Sequence, residues 1–139
     1  MINSIAANTN PITDAMRQRI RELRNKLLIL HKALLDGERI AYERVHGAVS
    51  SGELLQLVIN HEQFAWLHPI SELVVRIDEM LAQDQPPASQ DDAVAVIDQA
   101  RTLLTPSEDG EGFAKRYYDA LQSDSGAVLS HREIRPLLM

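Results

Sequence analysis

The strongest constraint in this sequence is a row of apolar residues within residues 12–46 that recurs at alternating spacings of four and three. Its members, which we call the seam, are Met16, Ile20, Leu23, Leu27, Leu30, Leu34, Gly37 and Ala41. This spacing is typical of a helix that packs nearly parallel or antiparallel to a neighbour. Pro11 or Thr13 is suited to start the helix, and Gly47 lies where it should end. The sequence therefore predicts one long N-terminal helix.

Start signals divide the following part of the chain into shorter helices. Ser50 and Glu53 are spaced as in a capping box, Pro69 is suited to a first helical turn, and Ser89 is suited to cap a helix. These signals predict three helices, over 51–60, 69–82 and 90–104. The buried face of the second is predicted to be Ile70, Leu73, Val74, Ile77 and Leu81, and that of the third Ala93, Val96, Ile97, Ala100 and Leu104.

The C-terminal part predicts two more short helices. One covers about 113–122. The other is indicated by Ser130 and Glu133, which are spaced as in a second capping box, and Pro136 limits it to a turn or two. His131 is then expected in the first turn of the last helix, facing solvent.

These elements predict a single all-α domain over residues 1–139. Strand-type alternation is absent, and the length is sufficient to bury one core. We expect a four-helix-type bundle with a long N-terminal helix and extra short C-terminal helices. Within it, 1–11 is a flexible N-terminus, 83–90 is a Pro-containing linker, and Trp66, with Phe64 and Leu67, plugs the end of the bundle.

Composition excludes several classes of protein. Without cysteine there is no disulfide scaffold, zinc finger or cysteine nucleophile. No apolar run approaches the roughly 18 residues that span a bilayer, and the first ten residues lack the basic and apolar regions of a signal peptide. These absences predict a cytoplasmic protein without a membrane partner.

The charge is divided unevenly along the chain. Residues 1–50 hold eight Lys or Arg against five Asp or Glu, whereas 51–139 hold six against fifteen. This division favours docking of the basic first helix on the acidic remainder. The basic residues of that helix border both sides of its seam, which disfavours nucleic acid as a partner. The cluster that does so is Arg17, Arg19, Arg21, Arg24 and Lys26.

No catalytic motif is present. The sequence lacks a phosphate-binding glycine loop and a Gly-x-Ser-x-Gly elbow, and His61-Glu62 is not followed by the second histidine of an HExxH site. The sequence therefore predicts no catalytic residue and no cofactor.

Three polar residues, which we call the polar ladder, interrupt the apolar surface of the first helix. Arg24, His31 and Glu38 recur every seven residues, and Tyr42 lies on the same side. In one interpretation His31 is a satisfied interior histidine and Glu38 pairs with a cation of another helix. That cation is either Arg76 or Arg101.

The second interpretation makes the polar ladder one wall of a ligand or metal site. The other wall would come from the residues around 61–72, and the weak metal candidates are His31, Glu38, His61, His68 and Glu72. A ferritin-like site needs two Glu-x-x-His motifs, and only the one from Glu43 to His46 is present. The sequence therefore assigns no metal ligand.

The segment 64–79 is predicted to form a packed corner followed by an amphipathic helix with a Glu72–Arg76 pair. Its alternative role is to bind a partner helix on a second face: Ser71, Val75, Asp78 and Ala82. The combined ligand or partner candidates are Arg24, His31, Glu38, Tyr42, Trp66, His68, Glu72 and Arg76.

Three segments carry a resemblance to a known family. They are HKALLDGER with Tyr42-Glu43, SSGELL from Ser50, and FAWLHPISELVVRIDE from Phe64. Together they resemble an uncharacterised family of small all-helical bacterial proteins over about residues 16–82. The resemblance implies a helical fold and assigns no activity, cofactor or site residue.

We therefore expect a non-enzymatic interaction or regulatory module that self-associates as a homodimer. The seam is about 50 Å long, whereas a partner helix of the predicted length covers about 20 Å, so apolar surface is left over. The partner is a second copy or another helical protein. The alternative is a metal- or small-ligand-binding bundle with oxidoreductase activity.

Overall fold

The computed structural model describes residues 7–139, and over this range the chain is all-helical without a strand. The helices are α1 (Asp14–His46), α2 (Ser51–Asn60), α3 (Glu62–Ala65), α4 (His68–Ala82), α5 (Gln90–Leu103), α6 (Gly112–Ser123) and α7 (Ser125–Leu138). This confirms the all-α fold with a long N-terminal helix and shorter C-terminal ones. The one-turn helix α3 was not predicted. None of the helices in this range combines the length and apolarity needed to cross a membrane.

The ends of α1 are set by local chemistry. The Thr13 side chain accepts a hydrogen bond from the Met16 amide at 3.1 Å, which satisfies one of the free donors of the first turn. At the other end Gly47 has φ +85°, a conformation that favours glycine, and its amide donates to the Glu43 carbonyl. Both boundaries agree with the sequence prediction.

The seam of α1 is buried only over its central part. The buried members are Ile20, Leu23, Leu27, Leu30 and Leu34, whereas Met16 is half-buried and Gly37 and Ala41 are exposed. Helices α4 and α7 pack antiparallel to α1 along this stretch, and α5 completes the core. The core therefore lies beside the first two thirds of α1.

The buried faces of α4 and α5 largely agree with the prediction. All five predicted residues of α5 and its C-cap are buried. In α4 the last buried position is Met80, and Leu81 is half-buried. At the corner before α4, Phe64 and Leu67 are fully buried, whereas Trp66 is half-buried. The end of the bundle is therefore filled mainly by Phe64 and Leu67, and less by Trp66.

The prediction for the last helix is wrong. Asp124 accepts a hydrogen bond from the Ala127 amide at 3.1 Å, so α7 begins at Ser125 and not at Ser130. Ser130 is buried in the middle of a 14-residue helix. Pro136 lies in the last turn and lacks the amide hydrogen that would bind the Arg132 carbonyl, but only two residues of the helix follow it.

The N-terminal segment differs from the flexible one expected over 1–11. The Ile12 amide donates to the Ala88 carbonyl and the Gln90 amide to the Asn10 carbonyl, each at 2.9 Å. The side chain of Ile12 joins the core. The part of that expectation that concerns residues 1–6 lies outside the described residues.

Cations in the first half of α1 bind acceptors on the acidic remainder, as the charge division predicts. On one side Arg24 pairs with Asp78 of α4 at 2.8 Å. On the other side Arg19 donates to the Leu137 carbonyl of α7 at 2.8 Å, and Lys26 lies 3.6 Å from Glu133. Charges on both flanks of the seam thus align α1 with its two neighbours. Arg21, which contacts only Gln18 of its own helix, is an exception.

Candidate functional site

The polar ladder is a row of contacts between helices. Arg24 pairs with Asp78, and seven residues later the His31 Nε2 atom lies 3.1 Å from the Ser71 hydroxyl oxygen. Because α4 runs antiparallel to α1, the same seven-residue step on both helices brings each pair to the same level. Glu38 continues the row beyond the start of α4. This geometry agrees with the interpretation of the ladder as an interhelical interface.

Glu38 binds two donors from the corner before α4. The indole Nε1 of Trp66 donates to the Oε1 atom of Glu38 at 3.0 Å, and the side-chain amide of Gln63 donates to the Oε2 atom at 2.9 Å. The predicted pairing of Glu38 with Arg76 or Arg101 is wrong. The two arginines bind acceptors at the α4–α5 and α5–α7 contacts instead.

The expected pair of Glu72 with Arg76 is also not formed. Arg76 reaches across to the Gln99 side-chain oxygen of α5, so an interhelical contact replaces the contact within α4. Glu72 itself is exposed and lies in the groove between α4 and α5.

His31 and His68 lie on neighbouring turns of two packed helices. Burial, together with the nearby His68, lowers the pKa of His31 below its usual value. The His68 Nε2 atom donates to the Val58 carbonyl at 2.9 Å, so the start of α4 binds the last turn of α2. Both imidazoles thus have structural partners.

Tyr42 belongs to an aromatic cluster that joins the end of α1 to α3. Its ring lies 4.3 Å from that of His46, 5.5 Å from that of His61 and 6.0 Å from that of Phe64, measured between centroids. The His61 Nδ1 atom accepts a hydrogen bond from the backbone amide of Gln63 and thereby caps α3.

The weak metal candidates are not brought together. Within the part of the chain that the structure describes, no group of three or more His, Asp or Glu side chains is placed to hold a metal ion. The side chains of His31, Glu38, His61 and His68 bind protein groups instead.

The most unusual surface lies beyond the core. From Leu35 to Gln63 no residue is buried, although this stretch includes the last turns of α1 and all of α2. We call residues 36–60 the apolar arm. Its exposed large apolar residues are Ile40, Val45, Leu55 and Ile59, and Leu54, Leu57 and Val58 are partly exposed.

Polar contacts fold the apolar arm into a hairpin. The Val49 amide donates to a Glu43 carboxylate oxygen at 2.8 Å, and Arg39 donates to the Val49 carbonyl at 3.0 Å. The Ser50 side chain then accepts from the Glu53 amide and starts α2 at the predicted place. These contacts fix the turn between α1 and α2 and the first turn of α2, and none of the aliphatic side chains of α2 is buried.

A buried pair that sequence reasoning missed joins α6 to α7. The Tyr117 hydroxyl oxygen lies 2.6 Å from the Nδ1 atom of His131, and Tyr117 is fully buried. Burial raises the pKa of Tyr117, and burial together with Arg135 lowers the pKa of His131. His131 is half-buried and not solvent-facing, because α7 begins before Ser130. No local signal joins the two residues, which meet only through the packing of α6 on α7.

No family model, curated protein or solved structure matches this chain. The resemblance to an uncharacterised family of small helical proteins therefore stays a prediction.

Proposed function

We propose that this protein is a non-enzymatic cytoplasmic interaction module that self-associates through the apolar arm. One observation carries the proposal: α2 has five aliphatic residues among ten, and none of them is buried. Burial of a Leu or Ile side chain stabilises by about 1.5–3 kcal/mol. An apolar surface of this kind is typical of an interaction site.

The apolar arm replaces the seam as the surface for self-association. Helices α4 and α7 cover the seam from Ile20 to Leu34, so the seam itself is not available along that stretch. Beyond Leu34 no residue of α1 is buried, and its last turns contact the turn before α2 and the short helix α3. The surface that the long helix leaves unpacked is therefore at its C-terminal end.

A second copy is the partner that the arm fits best. Two helices cannot enclose a core, whereas two arms together supply the four helices of a bundle. A twofold axis would place the same surface on both sides. The only charged residue of α2 is Glu53, so two copies can approach here with little of the repulsion that a net charge of −6 imposes elsewhere.

The size of the arm sets the expected affinity. Each of its helices is about 15 Å long, so the contact lies near or below the roughly 800 Å² per partner of a standard interface. We therefore expect a dimer with a dissociation constant of about 1–10 μM.

Sedimentation velocity between about 1 and about 100 μM tests this proposal. The wild-type chain is expected to shift from monomer to dimer over this range. The double variant Leu55→Glu with Ile59→Glu is expected to stay monomeric, because it places two charges in the proposed contact. Both side chains are more than half exposed, at 57% and 55%, so the monomer should keep its helicity by circular dichroism.

The matched control is Val75→Glu with Val94→Glu. These valines are 53% and 45% exposed on α4 and α5, so the control adds the same charge outside the arm. It is expected to dimerise like the wild type. A wild-type monomer at about 100 μM contradicts the proposal. Loss of the dimer in the control alone would assign the contact to the α4–α5 side, which includes the predicted second face of α4.

A further inference from the structure

A cleft lies where the C-terminal ends of α5 and α7 meet, away from the apolar arm. Its volume is about 340 Å³, within the range of small-ligand sites. The apolar part of its wall is formed by Leu104, Pro106, Leu138 and Met139, and its polar part by Arg101, Thr105, His131 and Arg135. The cleft thus combines apolar walls with nitrogen donors.

The buried tyrosine orients the imidazole of His131. The hydroxyl group of Tyr117 is buried and needs an acceptor for its proton, and the Nδ1 atom of His131, at 2.6 Å, is the acceptor within reach. Nδ1 then carries no proton, so the proton of the neutral ring is on Nε2. Because Nδ1 is taken up by Tyr117, Nε2–H is the donor of His131 that remains for the cleft, which this residue lines.

The two arginines of the cleft have different tasks. Arg101 donates to the Leu138 carbonyl at 2.9 Å and pairs with Asp98, so it is held in place by the protein. Arg135 is exposed and has no acceptor among residues 7–139. Together with His131 it provides two donors without a protein partner.

We propose that this cleft binds a small monocarboxylate with an apolar body, such as an aromatic or short fatty acid. One carboxylate oxygen accepts from Arg135 and the other from His131 Nε2–H, while the apolar body contacts Leu138 and Pro106. A polyphosphate fits less well, because only one guanidinium is free. The cleft does not include the apolar arm, so carboxylate binding is tested independently of self-association.

Isothermal titration with benzoate and hexanoate tests the proposal. Both are expected to bind with a dissociation constant of about 1 mM or tighter. Benzyl alcohol, which lacks the charge, and inorganic phosphate, which lacks the apolar body, are expected to bind at least about tenfold more weakly. Absence of binding by both carboxylates at about 10 mM, or equal binding by benzyl alcohol or by phosphate, overturns it.

Arg135→Ala is expected to weaken benzoate binding at least about tenfold. Arg132→Ala is the matched control, since Arg132 is an exposed arginine on the same helix that does not line the cleft. Equal loss in both variants would reduce the interaction to general charge attraction and contradict the site.

Tyr117→Phe tests the positioning role of the tyrosine. It keeps the ring but removes the hydroxyl group, so His131 is no longer held in the Nε2–H form. Benzoate binding is expected to weaken severalfold, and the ¹⁵N shifts of His131 should show a mixture of tautomers. Unchanged ¹⁵N shifts together with unchanged affinity would show that Tyr117 does not orient the donor, and would overturn that part of the proposal.

Discussion

At the scale of single residues, Glu38 connects the core to the apolar arm. It lies four residues beyond Leu34, the last buried member of the seam, and its carboxylate binds both Trp66 and Gln63. Each oxygen accepts one hydrogen bond from a different side chain, so neither donor is left without an acceptor when the corner packs on α1. The charged Glu38 is therefore tolerated on the apolar side of α1, because its carboxylate accepts hydrogen bonds from Trp66 and Gln63.

Glu38→Gln is expected to lower the free energy of unfolding by about 1 kcal/mol. A glutamine side chain has one acceptor oxygen, so one of the two donors loses its side-chain acceptor. The side-chain amide of Gln63 keeps the Glu38 backbone carbonyl at 3.3 Å, so the larger loss falls on the Trp66 indole. Urea unfolding followed by fluorescence measures the change, since Trp66 is the only tryptophan. Glu79→Gln, at an exposed position of α4, is the control and should change stability little. Equal stabilities of the two variants would contradict this role of Glu38.

At the scale of elements, arginines of α1 and α5 bind the C-terminal end of the neighbouring helix α7. Arg19 from α1 and Arg101 from α5 donate to the last carbonyls of α7, which have no intrahelical donors. A positive charge at a helix C-terminus is also favourable for the helix dipole. These two arginines therefore hold α7 in place on α1 and α5.

Arg19→Ala is expected to destabilise the fold by about 1–2 kcal/mol, because the Leu137 carbonyl loses its donor. Arg21→Ala removes an arginine two residues away that contacts only Gln18 of its own helix, and it should cost less than about 0.5 kcal/mol. Thermal unfolding of the two variants measures the difference. The same melting temperature for both would show that the α7 contact contributes nothing.

The boundaries of most helices could be predicted from sequence because caps act within four residues. Thr13, Ser50 and Ser89 each accept the expected amide hydrogen bond. The start of α7 could not be predicted in this way, since Ser130 carries the same cap pattern as Ser50 and only its burial in the packed core distinguishes them.

The candidate site was predictable in part. The seven-residue period of the polar ladder is visible in the sequence, and it located the residues of α1 that contact α4 or the corner before it. Their partners depend on the register of α1 against α4, which is set by packing over many residues. For the same reason nothing local indicated that Tyr117 meets His131, or that α2 stays outside the core.

At the scale of the whole molecule, two histidines with lowered pKa values lie in separate helix contacts. His31 faces Ser71 and His68 between α1 and α4, and His131 faces Tyr117 and Arg135 beside α6 and α7. In both places burial is the main cause, and a neighbouring imidazole or guanidinium acts in the same direction. Protonation of either histidine therefore opposes the packing of the bundle.

The free energy of unfolding is accordingly expected to fall as the pH decreases below the usual histidine pKa of 6.5. In this range the unfolded chain binds more protons than the folded one, so stability is highest above about pH 6.5 and is lost as the pH falls toward the lowered values. Urea unfolding between about pH 7.5 and about pH 5.5 measures this slope before most carboxylates titrate. His31→Gln and His131→Gln should each flatten it, whereas His46→Gln, at an exposed position in the last turn of α1, should not. A slope that neither His31→Gln nor His131→Gln reduces would contradict the assignment, since the protons would then be taken up elsewhere.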